Sequence, residues 1–354
     1  MNIKFNKNEV DFLIDEFSIL TDSLYQLKID GLKKGSRVYS VNLPLNADVY
    51  IIDSLSGKDI ACHPSIVGEE LEKLCLDVAE DAARTMIKLG FVTHDYMYID
   101  VLRAAPGYKL EEALHRLGKE IKQKSIIRPR YTQPSYRDHE GGSKKIEIIF
   151  ENFDNFPENK KLHIIKPDTE ATGRTSEAVL KRIIEVAENK NCEIDSVLLY
   201  GFISESGLEH IVKFLTPYNI KVAAFAIGNI TALYSNGYDM PIYGPDEHYY
   251  SLHKVIKKLG GIIPRETLER YVNEFIPGSD QPGDWSARFK KVFNGIDFES
   301  GGISNHLRNS ISFLKKLKNI LQKMPSIQDL FPKYEKMINN ELNLLNKQLK
   351  VYKL

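Results

Sequence analysis

Between Val49 and Phe225 the sequence alternates short apolar runs with longer stretches that repeat apolar residues every three or four positions. The short runs are typical of strands and the longer stretches of amphipathic helices. The predicted strands are residues 49–53, 96–102, 145–153, 162–166, 196–203 and 220–228, and the predicted helices are residues 65–90, 109–121, 176–188 and 207–215. Strands separated by helices need crossover connections, which are typical of parallel sheets covered on both faces. The pattern predicts an α/β fold with a mainly parallel sheet and helices on both faces.

The pattern changes after Gly260 and Gly261. A short helix is predicted at residues 267–276, and two longer helices at 303–324 and 331–354 are separated near Pro325. We therefore predict an α/β domain at residues 1–260 and a helical C-terminal extension at 261–354. The extension is interpreted as a helical hairpin that packs on the sheet domain or on a second subunit. Its basic run "LKKLKN" is only a weak signal for nucleic acid or membrane.

Charge and cysteine content limit the classes of function. The 354 residues contain 48 Lys+Arg and 48 Asp+Glu, so no net charge attracts the chain to nucleic acid or to a membrane. Its three cysteines are scattered and lack the spacing of a zinc site or a disulfide framework. From its residues we expect no signal peptide, and no apolar run is long enough to span a bilayer. These features predict a reduced, cytoplasmic protein.

The stretch from 161 to 188 runs from a predicted strand through "PDTEATGRTS" into a helix. Gly173 allows close approach of the backbone, and the start of the helix adds the positive end of its dipole. The hydroxyl groups able to donate belong to Thr172, Thr175 and Ser176. Upstream, Asp168 and Glu170 can accept hydrogen bonds from sugar hydroxyls, directly or through Mg²⁺. This combination predicts a site for a sugar phosphate such as ribose 5-phosphate.

A strand, acidic residues, Ala-Thr-Gly-x-Thr-Ser and a helix resemble the phosphoribosyl diphosphate loop of the type I phosphoribosyltransferases. Uracil phosphoribosyltransferases resemble it most, because they carry an Asp-Pro version of this loop. Two further segments support the resemblance. Leu102-Arg103-Ala104 resembles the turn that holds pyrophosphate, and Tyr136-Arg137-Asp138 resembles the segment before a mobile hairpin. One expected acidic residue is displaced, since its position falls on Pro167.

The resemblance implies transfer of ribose 5-phosphate from phosphoribosyl diphosphate to a nucleobase-like nitrogen acceptor, with release of pyrophosphate. Asp168, Arg103 and Arg137 would be catalytic. The residues implied to bind the diphosphate substrate are Asp168, Thr169, Glu170, Ala171, Thr172, Gly173, Arg174, Thr175, Ser176, Arg103 and Ala104. Mg²⁺ would arrive with the substrate, because the sequence offers no metal site of its own, and the protein would be a homodimer that binds neither membrane nor nucleic acid.

The segment "GYDMPIYGPDEH" resembles the loop with which uracil enzymes bind the base. The implied acceptor-binding residues are Met240, Pro241, Ile242, Tyr243, Gly244 and Asp246. Ile242 and Pro245 stand where the family has Gly and Asp, so the acceptor that the resemblance implies is uracil or a related heterocycle. Trp285 either anchors the helical extension or lines a site, and we favour the anchor. The alternative function is a catalytically silent nucleotide-binding or regulatory protein on the same fold.

Overall fold

A long, mainly parallel β-sheet runs through the molecule, as seen in a computed structural model that describes residues 3–92, 96–131 and 146–352. The strands that form this sheet within those ranges are β1 (Leu24–Leu27), β2 (Arg37–Val41), β3 (Ala47–Asp53), β4 (Tyr96–Val101), β5 (Lys124–Tyr131), β6 (Ile146–Asn152), β7 (Lys161–Pro167), β8 (Glu193–Ser204) and β9 (Lys221–Thr231). Their order across the sheet is β1-β2-β3-β9-β8-β7-β4-β5-β6.

The six central strands, from β3 to β5 in that order, all pair in parallel. The strands at the two edges are antiparallel: β1 and β2 at one edge, and β6 at the other. Short links suffice for antiparallel neighbours, whereas each parallel pair needs a crossover. The predicted α/β class with a mainly parallel sheet is confirmed.

Helices cover both faces of the sheet. In chain order the described helices are α1 (Lys7–Phe17), α2 (Leu55–Cys62), α3 (Glu69–Lys88), α4 (Leu110–Arg116), α5 (Arg174–Asn189), α6 (Glu205–Leu215), α7 (Glu247–His253), α8 (Arg265–Tyr271), α9 (Ile303–Leu321) and α10 (Phe331–Val351). Helices α5 and α6 pack on one face through apolar side chains such as Val179 and Leu208. The opposite face is covered by α1 to α4 and by the C-terminal helices.

The C-terminal helices α9 and α10 pack against each other across a short turn at Pro325–Ile327. Proline cannot continue a helix because it lacks the amide hydrogen, which explains the break there. Leu314 on α9 and Ile338 on α10 belong to the same hydrophobic core as Val78 on α3. The boundary at residue 260 stays a prediction, and buried side chains from both sides of it meet in that core.

Two small hairpins complete the structure. They are β10 (Tyr243–Pro245) with β11 (Lys258–Gly260), and β12 (Lys291–Phe293) with β13 (Phe298–Ser300). Within the described part of the chain, no helix combines the length and the apolar character needed to cross a bilayer.

Candidate functional site

A cavity of about 480 Å³ opens at the carboxyl ends of β4 and β7. These strands are neighbours, but the chain continues from β4 to β5 on one side and from β7 to β8 on the other. Such a reversal of strand order leaves a crevice in which open parallel sheets bind ligands. Its lining residues in the described ranges are Arg103, Ala104, Tyr131, Thr169, Glu170, Ala171, Thr172, Gly173, Thr175, Tyr238, Pro282, Gly283, Asp284, Trp285, Ser286, Ala287, Gly301, Gly302 and Asn305.

The turn between β7 and α5 forms one wall of this cavity. Gly173 precedes α5 with a φ of 72°, in the left-handed region that glycine adopts without strain. A Cβ atom there would lie 2.7 Å from the carbonyl oxygen of Gly207 at the start of α6. The turn therefore packs backbone against backbone. It presents the amino end of a 16-residue helix, a position that favours phosphate.

The structure brings most of the predicted phosphate-turn residues together, but not in equal roles. Thr169, Glu170, Ala171, Thr172, Gly173 and Thr175 line the cavity. Thr175 donates its hydroxyl hydrogen to Tyr131 Oη at 3.3 Å, which links the turn to the end of β5. Asp168, Arg174 and Ser176 are not among the described lining residues. The side chain of Ser176 instead supports Glu170 from behind, donating to Glu170 Oε2 at 2.6 Å.

Lys166, a residue that the sequence reasoning did not single out, lies between the two acidic side chains. Its fully buried ammonium donates to Asp168 Oδ2 at 3.2 Å and to Glu170 Oε1 at 2.5 Å. The second oxygen of Asp168 accepts from the Thr169 amide at 2.8 Å. All four carboxylate oxygens therefore accept a hydrogen bond, and the three side chains carry a formal net charge of −1.

Burial changes the acid–base properties of this cluster. It raises the pKa of Asp168 to about 6, although the positive charge of Lys166 opposes the rise. Burial alone would lower the pKa of Lys166, but the attraction of Asp168 and Glu170 outweighs it and raises the pKa. Near pH 7 the ammonium is therefore charged, and Asp168 is mainly ionised.

Arg103 follows β4 and lines the cavity beside Ala104. The peptide bond between Leu102 and Arg103 is cis. The Arg103 guanidinium donates to Glu299 Oε1 on β13 at 2.6 Å, and both side chains are about one-third exposed. Hydrogen bonds from Asn294 and Arg103 lower the pKa of Glu299. An anion in the cavity would thus compete with a carboxylate for this guanidinium. Arg137 lies outside the described residues.

The opposite wall comes from the C-terminal part of the chain, where the sequence analysis considered only Trp285 and favoured it as an anchor. Trp285 lines the cavity and stacks on Tyr108, with ring centroids 4.4 Å apart. Its indole N–H donates to the carbonyl oxygen of Ala104 at 3.2 Å. Tyr108 in turn shares a 2.5 Å hydrogen bond with Thr169 Oγ1. Trp285 is therefore both an anchor and a wall, connected to both strand ends.

Arg288 fixes this wall in place. It is fully buried, and its guanidinium donates only to backbone oxygens among the hydrogen bonds described. The accepting carbonyl groups, at 3.0–3.3 Å, belong to Ile60, His63, Ile66, Gln281 and Pro282. Burial lowers the pKa of Arg288 to about 10, so it stays charged at neutral pH. This clamp joins the segment before Trp285 to the link between α2 and α3.

The structure places the residues that the resemblance implied for acceptor binding outside this cavity. None of Met240, Pro241, Ile242, Tyr243, Gly244 and Asp246 is a described lining residue, and all six are buried. Part of the segment is strand β10, and a Cβ at Gly244 would lie 2.0 Å from the amide nitrogen of Gly278. Asp246 accepts from the Tyr249 amide and caps α7. Gly244 therefore packs backbone against backbone, whereas the preceding Tyr238 does line the cavity.

A second polar cluster lies away from the cavity. Within the described ranges, Asp59, His63 and Glu274 are the group whose oxygen and nitrogen atoms lie close enough to hold a metal ion, within 4.8 Å of one another. Glu274 already accepts from Lys58 at 2.6 Å, and His63 bonds to Glu274 and Glu341. We interpret the cluster as an ion-pair network.

No protein-family model and no curated protein matches the chain. Among solved structures it is similar to adenine phosphoribosyltransferase from Thermoanaerobacter pseudethanolicus, with 17% identity, a TM-score of 0.29, and coverage of 43% of this chain and 85% of that one. It is also similar to the adenine enzyme from Trypanosoma brucei, with 12% identity, a TM-score of 0.32, and coverage of 53% of this chain and 86% of that one. The hypoxanthine-guanine enzyme from L. donovani is similar with 12% identity, a TM-score of 0.28, and coverage of 43% of this chain and 79% of that one. Identity and TM-score are low throughout, so the function proposed below depends on the chain's own residues.

Proposed function

We propose that this protein is a phosphoribosyltransferase. It would move ribose 5-phosphate from phosphoribosyl diphosphate to a nucleobase-like nitrogen acceptor, uracil or a related heterocycle, and release pyrophosphate. One observation carries the proposal: the turn at Thr172–Thr175 and the side chain of Arg103 line the same cavity, at the point where strand order reverses. The sequence resemblance of these segments adds support.

Different residues would bind different parts of the substrate. The backbone around Gly173, the hydroxyls of Thr172 and Thr175 and the start of α5 would hold the 5-phosphate. Glu170 would accept hydrogen bonds from the ribose hydroxyls. Asp168 would act indirectly, through its hydrogen bond with Lys166, which also contacts Glu170. Arg103 would leave Glu299 and bind the diphosphate, for which a planar guanidinium is suited.

Mg²⁺ would arrive with the diphosphate. Glu170 is the carboxylate of the turn that lines the cavity, and its oxygens already accept from Lys166 and Ser176. The fit is therefore to a cation held mainly by phosphate oxygens and water, with at most one oxygen from Glu170. When bound, the ion would neutralise charge on the leaving pyrophosphate.

Transfer would break the bond between the anomeric carbon and the diphosphate and form a bond from that carbon to the acceptor nitrogen. The acceptor loses its proton to water, and the electron pair of the broken bond leaves with pyrophosphate. The protein's contribution is to hold donor and acceptor in line and to stabilise the leaving charge through Arg103. Trp285 and Tyr108 exclude water from one side of the cavity.

A second function has one observation in its favour. The acidic groups Asp168 and Glu170 are both paired with Lys166, and Arg103 is paired with Glu299. A protein that binds a nucleotide without transferring ribose would not need these charged side chains to be released from their ion pairs. The alternative is therefore a catalytically silent nucleotide-binding or regulatory protein that uses the same cavity.

Calorimetric titration with Mg²⁺-phosphoribosyl diphosphate tests the proposal. We expect Arg103→Gln to weaken binding about tenfold, because it removes a charged donor to phosphate. Arg116→Gln is the matched control, since Arg116 also forms exposed ion pairs, with Glu80 and Glu112, but does not line the cavity. Equal effects of the two substitutions, or no binding by the native chain, would refute the proposed site.

Pyrophosphate release with a panel of nucleobases then separates the two functions. Release with one of the bases supports transfer. Tight binding of a nucleoside monophosphate, with no release for any base, supports the silent binding protein.

A further inference from the structure

The C-terminal wall of the cavity contains one acidic side chain, Asp284. It is only 7% exposed, yet it lines the cavity together with Trp285 and the backbone around Gly283. The other charged lining residues among those described are Arg103 and Glu170, and both belong to the strand ends that would hold the sugar and its phosphates. Asp284 is therefore the charged group of the wall that faces them.

Hydrogen bonds fix the direction of the Asp284 carboxylate. Tyr238 donates its hydroxyl hydrogen to Oδ1 at 3.3 Å, and Asn309 on α9 donates from its amide to Oδ2 at 3.1 Å. The backbone is fixed as well, because the Asp284 carbonyl oxygen accepts from the amides of Ala287 and Arg288 at 2.8 and 3.2 Å. Arg288 is itself held by its clamp. The carboxylate is thus positioned from three parts of the fold.

The chemistry of a buried carboxylate is selective. An ionised carboxylate accepts hydrogen bonds and donates none, so a ligand group beside it must carry a hydrogen. A second carboxylate close to it would be repelled, and the repulsion is strong where water is excluded. The other described residues of this wall are uncharged: Pro282, Trp285 and Ala287 are apolar or aromatic, and Ser286 and Asn305 are polar. Tyr131 and Tyr238 also line the cavity. Such surroundings suit a flat ring.

We propose that Asp284 selects the acceptor: a flat nitrogen heterocycle that presents an N–H group to this carboxylate and carries no carboxylate of its own. This inference rests on the proposed function, and it places the acceptor against residues 282–287 and 301–305. Orotate-like and nicotinate-like rings are excluded, whereas neutral pyrimidine and purine bases are accepted.

Nucleoside monophosphates test this selection by binding alone, since one molecule carries both a phosphate for the turn and a base for Asp284. Uridine 5′-monophosphate and orotidine 5′-monophosphate form a matched pair that differs by one carboxylate. Adenosine 5′-monophosphate is a second N–H-bearing probe. We expect the native chain to bind uridine or adenosine monophosphate at least tenfold more tightly than the orotidine nucleotide. In Asp284→Asn that preference should fall to less than threefold.

Ribose 5-phosphate, which has no base, serves as the reference ligand, and its affinity should be the same for native chain and Asp284→Asn. Asp297→Asn is the control variant, because Asp297 is exposed on the turn between β12 and β13 and is not a described lining residue. If ribose 5-phosphate binds but the nucleotide preference is absent, or survives in Asp284→Asn, the acceptor inference is overturned alone. If the native chain binds neither ribose 5-phosphate nor any nucleotide, the proposed function falls with it.

Discussion

His63 ties the C-terminal helix α10 to the sheet core through a pH-dependent contact. It follows α2, and its Nδ1 lies 2.9 Å from Glu341 Oε2 on α10 while its Nε2 lies 3.2 Å from Glu274 Oε2. Burial alone would lower the pKa of His63, but hydrogen bonds to Glu274 and Glu341 outweigh it and raise the pKa from 6.5 to about 9. The imidazolium is therefore the stable form in the folded protein at neutral pH.

The sign of the effect follows from linkage. Because the folded pKa lies above the unfolded one, the stabilisation is complete below about pH 6.5 and is lost as the pH rises through about 9. One pKa unit corresponds to about 1.4 kcal/mol, so the rise to about 9 corresponds to about 3 kcal/mol of unfolding free energy. The same contact lowers the pKa of Glu274 to about 2. The stabilisation that Glu274 contributes to the folded state is therefore lost as the pH falls through that value.

Urea unfolding at a series of pH values measures this contribution. Trp285, the single tryptophan, is buried, so its fluorescence reports exposure on unfolding. Between pH 6 and pH 9 the unfolding free energy of the native chain should fall by about 3 kcal/mol more than that of His63→Gln, which cannot carry the charge. Parallel profiles for the two proteins would refute the reasoning.

Three further substitutions test the phosphate turn and its supports. Gly173→Ala should cost about 1–3 kcal/mol of unfolding free energy, because its φ is positive and the added Cβ meets the Gly207 carbonyl; urea titration measures it, and an unchanged midpoint would contradict the backbone contact. Lys166→Met should cost about 3–5 kcal/mol near pH 7, since it leaves two buried carboxylates unpaired. The loss should shrink at pH 5, where Asp168 gains a proton, and a pH-independent loss would argue against the pairing. Arg288→Met should lower the unfolding free energy by about 3 kcal/mol or more, because it leaves backbone carbonyl groups without a donor, and Arg288→Lys should be intermediate. Thermal unfolding measures the effect, and a lysine variant as stable as the native chain would show that the guanidinium fork is unnecessary.

The sequence analysis predicted the central architecture because burial on both faces of a parallel sheet leaves a strong local signal. The apolar run 162–166 lies within β7, and the helix predicted from 176 begins at Arg174. The edge hairpin of β1 and β2 was not predicted. These strands are only four and five residues long, and their burial does not alternate strictly, so their residues carry little periodicity.

The candidate site was predictable on one side only. The turn after β7 and Arg103 are local motifs, and the structure brings them together. Asp284 and Arg288 reach the site through contacts with residues far away in the sequence, which leave no local pattern. The segment 240–246 was assigned by resemblance, and its burial could not be read from its residue types, because apolar and tyrosine side chains suit a ligand site and a core equally.

The origin of the two cavity walls has a consequence for biosynthesis. The turn after β7 is made about 100 residues before Asp284, which at roughly 5–20 residues per second is a delay of about 5–20 seconds. During that time a nascent chain carries the phosphate turn without the wall that Trp285 supplies. Ligand binding should therefore begin only after translation has passed Asn305, so that nascent chains halted near residue 270 on the ribosome would not yet form the site.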